Sequence, residues 1–427
     1  MERNTLQKLE DWKKKRGRKP LIIQGARQVG KTWLMKEFGK KSFKKTVYIN
    51  FESSKQLQTI FETDFNIERI ISIFEIESGN RIDNNTLIIL DEIQEAKKGI
   101  TALKYFQEKS PHYFIIAAGS YLGVSLQKNN SFPVGKVDLM TLYPLSFEEF
   151  LFNSKEKLLA QHLSDKNWKV LSPFHDKLVE MLRTYYFTGG MPEAVNSYFV
   201  NRDFRKVREI QKNILIGYEN DFAKHAPIDS VPKIKMVWHS IISQLSKVNK
   251  KFMYGDLKKG GRAKEFETAI EWLLHSGLIY KSHRVTKPGI PLKSYADTGV
   301  FKLYLLDVGL LNAMADVDEK ILQEKNKIMV EFKGAMTEQF VAQQLKINQE
   351  LFYWVNEKSV AEVDFLIQKK NKIIPVEAKA EENLKAKSLK VYAEKFHPEM
   401  VIRTSMKFYR KDSKLSNIPL YAIGMLE

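Results

Sequence analysis

Residues 25–32 read Gly-Ala-Arg-Gln-Val-Gly-Lys-Thr, and residues 87–92 read Leu-Ile-Ile-Leu-Asp-Glu. The first stretch has the spacing G-x-x-x-x-G-K-[ST], which can hold phosphate. Gly25 and Gly30 let the backbone curl so that successive N–H groups point at one centre. A helix starting at Lys31 adds its positive N-terminal end. The Lys31 ammonium can reach β- and γ-phosphate oxygens, and the Thr32 hydroxyl can ligate Mg2+. Gly25, Ala26, Arg27, Gln28, Val29, Gly30, Lys31, Thr32 and Trp33 are therefore the expected nucleotide-contact residues. The second stretch is an apolar run ending in two carboxylates. Asp91, at the carboxyl end of its strand, is expected to face the loop from the adjacent strand tip and to hold Mg2+, directly or through water. Glu92 is expected to polarise the attacking water as a base. Ser120 follows the apolar run 113–118 (Tyr-Phe-Ile-Ile-Ala-Ala) and can hydrogen-bond that water or the γ-phosphate. Capping a helix is an equal use of it.

A second constellation lies in the last hundred or so residues. Glu338 falls on a helical stretch, Met329 to Leu345; Asp364 opens a strand; Glu377 and Lys379 lie on one face of the next strand, with Ala378 pointing away. Two carboxylates with a third from a helix form a hard oxygen site for Mg2+, so Glu338, Asp364 and Glu377 are the expected metal ligands. The metal would polarise a phosphodiester, and Lys379 would orient water or steady the developing charge. This pattern resembles the restriction-endonuclease-like PD-(D/E)xK site. A hairpin with salt-bridged polar faces would carry the same residues without cutting.

The composition narrows the partners. A formal charge of +18 favours a polyanion, and DNA is the expected one; a surface of solvated lysines is the other source of such a charge. The chain of 427 residues is too long for one core, and its 43% apolar content supports packed domains. With no cysteine, disulfides and thiolate metal sites are excluded, which suits a reducing cytoplasm. No apolar run reaches membrane-spanning length, and the polar stretch Met1 to Arg18 lacks the pattern of a secretory signal, so no membrane partner is expected.

The elements that must position these residues alternate between strand and helix. Leu21-Ile22-Ile23, Thr46 to Phe51, Leu87 to Leu90, Tyr113 to Ala118 and Lys136 to Leu142 read as strands of a parallel sheet, with two short helices over 55–77. His175 to Phe187, Glu193 to Val200 and Phe204 to Phe222 read as helices. Gly189-Gly190 reads as a hinge or as a plain turn. Lys233 to Ser246, Tyr254 to Lys258 and Ala263 to Leu274, then strands at Leu278 to Arg284 and Phe301 to Leu306, resemble a winged helix-turn-helix. Lys258, Lys259, Arg262 and Lys264 cluster near its third helix, and Lys281, His283, Arg284 and Lys287 near its ribbon. Such a fold contacts DNA or only packs against protein. Strands are also expected at Ile374 to Ala378, Met400 to Arg403 and Leu420 to Ile423.

GARQVGKT, LIILDEIQ, AAGS at 117–120 and LYPLSFEEFL at 142–151 together resemble the prokaryotic AAA-type ATPases that carry a C-terminal domain of unknown function. Gly189 to Ala194, Phe301 to Asp307, and Ala361 to Ile367 with Ile374 to Lys379 fit the same family. The resemblance implies an α/β fold: a parallel-sheet P-loop NTPase domain with a helical lid, a winged-helix domain, and a C-terminal α/β restriction-endonuclease-like domain. The corresponding spans are 1–152, 153–226, 227–325 and 326–427. It also implies ATP with Mg2+ as ligands and rings of like subunits, hence a homo-oligomer. The family has Gly-Arg before the fifth strand where this chain has Gly135-Lys136, which replaces a planar fork by a point charge. Arg27 is another available cation, and Arg202, Arg205 and Arg208 are available lid sensors. The expected function is a Mg2+-dependent ATPase coupled to a C-terminal region that binds DNA, with cleavage of that DNA open to its nuclease-like domain. The alternative is a slow nucleotide switch whose C-terminal half is a protein- or DNA-binding platform without cleavage.

Overall fold

The computed structural model describes residues 1–120, 133–247, 250–318, 330–356, 361–380 and 387–426. The expected boundary at 325/326 and the start of the Met329 helix lie outside these residues. The chain divides into two compact units: Met1–Tyr143 with His275–Gly277, and Pro144–Leu274 with Leu278–Glu427. No described helix is long and apolar enough to cross a membrane.

The first unit is built on a parallel sheet of β1 (Leu21–Gln24), β2 (Lys45–Asn50), β3 (Thr86–Asp91), β4 (Phe114–Ala118) and β5 (Asp138–Thr141), in the order β2-β3-β4-β1-β5. The central strands are continuous apolar runs because helices cover both faces of such a sheet. Ile22, Ile49, Ile88, Leu90 and Ile115 are buried in one cluster with Ile70, Phe74, Leu103 and Phe106. The two short helices are Lys55–Gln58 and Ile67–Ser78, started by side-chain caps from Ser54 and Asn66. All five strands run the same way, so the residues following β1, β3 and β4 emerge at one edge. β4 lies between β1 and β3, so Asp91 and Glu92 leave the second strand from the loop, not the adjacent one.

The second unit combines helices with a mixed sheet. Phe147–Asn153 opens on a Ser146/Glu149 capping box, and His175–Thr188, Pro192–Asn201 and Phe204–His225 follow. The sheet runs β12-β13-β11-β10-β9-β8-β6-β7. Its strands are β6 (Ile279–Val285), β7 (Ala296–Leu305), β8 (Leu351–Val355), β9 (Glu362–Lys369), β10 (Lys372–Ala378), β11 (Val401–Ser405), β12 (Arg410–Asp412) and β13 (Leu415–Pro419). The ribbon expected as a wing is the antiparallel pair β6–β7, and β6 also pairs in parallel with β8. It therefore continues the sheet that holds β9 and β10. The middle helix of the expected winged motif is only a 3-10 turn, Tyr254–Asp256, in a stretch interrupted by Gly255, Gly260 and Gly261. The strand expected at 420–423 is a 3-10 helix, Leu420–Met425, that follows Pro419 and buries consecutive side chains rather than alternate ones.

Gly189-Gly190 is a sealed junction. The Gly190 N–H donates to Asp307 Oδ2 at 2.6 Å, and Gln343 Nε2 donates to the same oxygen at 3.0 Å. A Cβ on Gly189 would collide with the Asp307 carboxylate, and one on Gly190 with the Leu145 carbonyl. Gln343 also accepts from the Val308 N–H at 2.8 Å, and Gln344 from the Phe147 N–H at 2.9 Å. The helix Val330–Lys346 thus fastens the expected lid helices to the strands. A hinge needs room that these contacts remove. Gly190→Ala is expected to destabilise the fold by about 1–3 kcal/mol through overpacking. Gly217→Ala, where nothing lies within reach of the added methyl in a long helix, is expected to stabilise it by about 1 kcal/mol. Chemical denaturation of the two variants measures both.

Candidate functional site

The loop after β1 takes a shape that only its sequence permits. Gly25, Gln28 and Gly30 have φ of 150°, 67° and 94°. A Cβ on Gly25 would strike the Leu142 carbonyl. The buried side chain of Val29 anchors the loop from within, while Arg27, Gln28 and Trp33 are exposed and Ala26 is buried. Lys31 starts the helix Lys31–Ser42 and is itself buried. Its Nζ donates to Gly25 O and Ala26 O, each at 2.9 Å. Burial pushes the ammonium down to about 8; the charges of Glu92 and Asp91 oppose that shift only in part. A cation held by two uncharged carbonyls gains strongly from an arriving polyanion.

Thr32 and Asp91, distant in sequence, meet: Thr32 Oγ1 donates to Asp91 Oδ2 at 2.7 Å. Tyr48 OH donates to the same oxygen at 2.9 Å, and burial followed by the Asp91 charge raises the phenol above its ordinary range. A hydroxyl and a carboxylate converging beside a lysine form an oxygen pair suited to a hard dication bound to phosphate. Glu92 has φ of 50°, which turns its side chain out of the strand direction. Its Oε2 accepts from the Ser120 N–H at 3.1 Å and from Gln94 Nε2 at 2.6 Å, and Ser120 Oγ reaches Oε1 at 3.4 Å. Ser120 therefore meets Glu92 through both its backbone and its hydroxyl. Tyr48 and Gln94 were missed by the sequence reading; a polar tip in an otherwise apolar strand is the one signal Tyr48 offered.

The other cations have local uses. Lys136 pairs with Glu108 at 2.9 Å. Arg202 lies over the Tyr198 ring, the Arg205 guanidinium stands 3.6 Å from the Asp203 carboxylate, and Arg208 lies over Phe187 and donates to Val317 O at 2.7 Å. On the ribbon, Lys281 pairs with Glu271 at 2.9 Å and Arg284 with Asp297 at 2.6 Å. Lys258, Lys259, Arg262 and Lys264 are exposed.

The second constellation lines a cavity of about 670 Å³ that holds Glu338, Asp364, Glu377 and Lys379 together with Lys250, Lys251 and Glu362. The register pairs Val376 with Phe365, so Glu377 and Asp364 come next on their strands, and the Ala378 N–H donates to Asp364 Oδ2 at 2.8 Å. Burial, then the Glu338 charge, pushes Asp364 up to about 7. Glu377 Oε1 pairs with Lys379 at 2.5 Å, and its buried Oε2 has no hydrogen-bond partner among the described residues. Glu338 departs from expectation. It is 1% exposed, pairs with Lys250 and with Lys302 at 2.9 Å, and accepts from Tyr304 OH at 2.5 Å. Burial opposes its ionisation, but the two ammoniums outweigh it and hold the carboxyl below its ordinary range. Lys302, wholly buried, also pairs with Glu362 at 2.5 Å. Among the described residues no three acids or imidazoles form a metal-binding group. Asp364 and the unpartnered Glu377 oxygen fit one hard cation; Glu338, saturated by its own cations, does not fit as a third ligand.

Residues 17–151 match the AAA domain family, residues 179–321 a domain of unknown function (DUF8612), and residues 333–423 another domain of unknown function (DUF4143). No curated protein matches the chain significantly. Among solved structures, it is similar to the Walker-type ATPase PABY2304 of Pyrococcus abyssi, with 14% identity over 73% of this chain and 94% of that one and a TM-score of 0.46. It is also similar to the Aeropyrum pernix ORC1 protein in complex with DNA, with 10% identity over 75% and 93% of the two chains and a TM-score of 0.27. With its parallel sheet, its phosphate-binding loop and these matched segments, the chain carries an AAA-type P-loop ATPase domain followed by a C-terminal domain of unknown function.

Proposed function

We propose that this protein is a Mg2+-dependent ATPase whose C-terminal half engages DNA. The observation that carries the ATPase reading is the 2.7 Å contact between Thr32 and Asp91, beside a Lys31 cradled by its own loop. In this reading the loop amides from Ala26 to Thr32 bind the phosphates, and Lys31 neutralises the β- and γ-oxygens. Thr32 and Asp91 would hold the dication, which supplies charge neutralisation on the phosphoryl oxygens when bound. Glu92 orients a water for attack at the γ-phosphorus and takes its proton, while the bridging oxygen leaves with ADP. Ser120 and Gln94 fix the carboxylate in the orientation that this task needs.

The whole chain's charge of +18, with the exposed Lys258, Lys259, Arg262 and Lys264 in the C-terminal half, supports a DNA-binding platform there. The ion pairing of Glu338 favours a platform that does not cut. A second reading, cleavage assisted by a single metal, is favoured by the unpartnered Glu377 oxygen beside Asp364, with Lys379 next to it.

Four measurements test these readings. Glu92→Gln is expected to leave ATP affinity unchanged and to slow turnover by about 10²–10⁴-fold; normal turnover would remove Glu92 from its role. ATP affinity should be flat below pH 8 and should fall above it by up to about tenfold per pH unit. The sign follows because bound phosphate raises the Lys31 value, so binding takes up a proton wherever the free protein has lost it. Calorimetry from pH 7 to 10 reads the slope, and constant affinity contradicts the assignment. Duplex DNA should stimulate ATPase activity, with the stimulation fading as salt rises. Equal rates with and without DNA would favour the slow switch. Cutting of plasmid with Mg2+ or Mn2+, abolished by Glu377→Ala without loss of ATPase activity, would establish the second reading.

A further inference from the structure

Arg3 is a charged side chain that the phosphate-site chemistry above does not use, yet it is only 7% exposed. Its Nη1 donates to Val29 O at 3.1 Å, and its Nη2 donates to Tyr143 O at 2.6 Å. Val29 lies inside the phosphate loop, between Gln28 and Gly30, whose φ values of 67° and 94° are both left-handed. The Val29 carbonyl and the Gly30 N–H belong to one planar trans peptide, so the two groups point in opposite directions. Fixing the oxygen fixes the N–H. A cationic donor on the carbonyl also polarises that peptide and strengthens the N–H as a donor. The second nitrogen ties the same guanidinium to the chain just beyond β5, so the loop is braced against the sheet it springs from.

We infer that Arg3 is a positioning residue for nucleotide binding: it turns the Val29 carbonyl outward and so aims the Gly30 N–H at the bound phosphate. The inference rests on the ATP reading given above. Arg3 touches the loop's outer side and not the ligand. Its effect therefore belongs in nucleotide affinity rather than in the chemical step. A lysine offers one compact ammonium in place of the two spread nitrogens that meet Val29 and Tyr143, so it lacks the planar fork that holds both carbonyls in fixed directions.

The test is steady-state ATP hydrolysis by the full chain carrying Arg3→Ala or Arg3→Lys, with ADP binding measured by calorimetry and folding checked by thermal melting. Arg3→Ala is expected to raise KM for ATP and Kd for ADP by about tenfold each, while kcat stays within about twofold. Arg3→Lys should recover part of that loss. Wild-type KM in folded Arg3→Ala overturns the inference, as does a fall in kcat at unchanged KM. If Arg3→Ala does not fold, Arg3→Lys decides: a raised KM at retained kcat supports the inference, and a wild-type KM overturns it. A wild-type protein that binds no nucleotide overturns the ATP reading instead, so the two failures are distinct.

Discussion

The contact between Thr32 and Asp91 is the constraint on which the first unit depends. Asp91 is 3% exposed, and a carboxylate so placed is costly unless its oxygens are satisfied. Two hydroxyls, from Thr32 and Tyr48, meet one oxygen, and the Glu92 N–H meets the other at 3.2 Å. For these groups to converge, the strands must be parallel, the loop after β1 must fold back onto its own helix, and β3 must bring its end level with that loop across β4. The buried aliphatic side chains of β1, β3 and β4 make that alignment stable, and the glycines of the loop make its curvature possible.

Much of this was legible in the sequence because the signals are local. Strands buried on both faces read as unbroken apolar runs, and the loop spacing states its own chemistry. Tyr48 and Arg3 were not legible, because each acts on a residue brought near only by the folded unit; Gln94 bonds Glu92 from two residues away, but the spacing alone does not turn the two side chains together. The position of β3 relative to β1 was also hidden, since strand order depends on crossovers rather than on the strands themselves. In the second unit, β8 has the apolar run Leu-Phe-Tyr-Trp-Val, but a run that short does not distinguish a strand from part of a buried helix. The segment 420–423 shows the same ambiguity resolved the other way.

The C-terminal constellation separates recognising residue types from knowing their partners. Asp364, Glu377 and Lys379 line one cavity, but so does Ala378, which alternation had pointing away, and Lys379 lies just past the end of β10. Alternation gave no hint that Lys250 and Lys302 would converge on Glu338 from other elements of the second unit. Glu338 and Glu362, with the Lys250 and Lys302 ammoniums and the Tyr304 phenol, form an internally neutralised cluster, and removing any one charged member leaves the rest uncompensated. The glutamines of the helix Val330–Lys346 act in a comparable way through neutral hydrogen bonds. Gln339 brackets Leu305 through both its N–H and its carbonyl, and Gln343 closes the Gly190 and Asp307 junction. These buried polar contacts tie the helical segment and the mixed sheet together within the second compact unit.

The central claim is that Lys31, cradled by Gly25 and Ala26, is the cation that receives the nucleotide phosphates. Titration of ATP with Mg2+ into wild type and Lys31→Ala, both confirmed as folded by thermal melting, tests it most directly. The account predicts saturable binding by wild type and its loss in the variant. Equal affinity in the two proteins would contradict it.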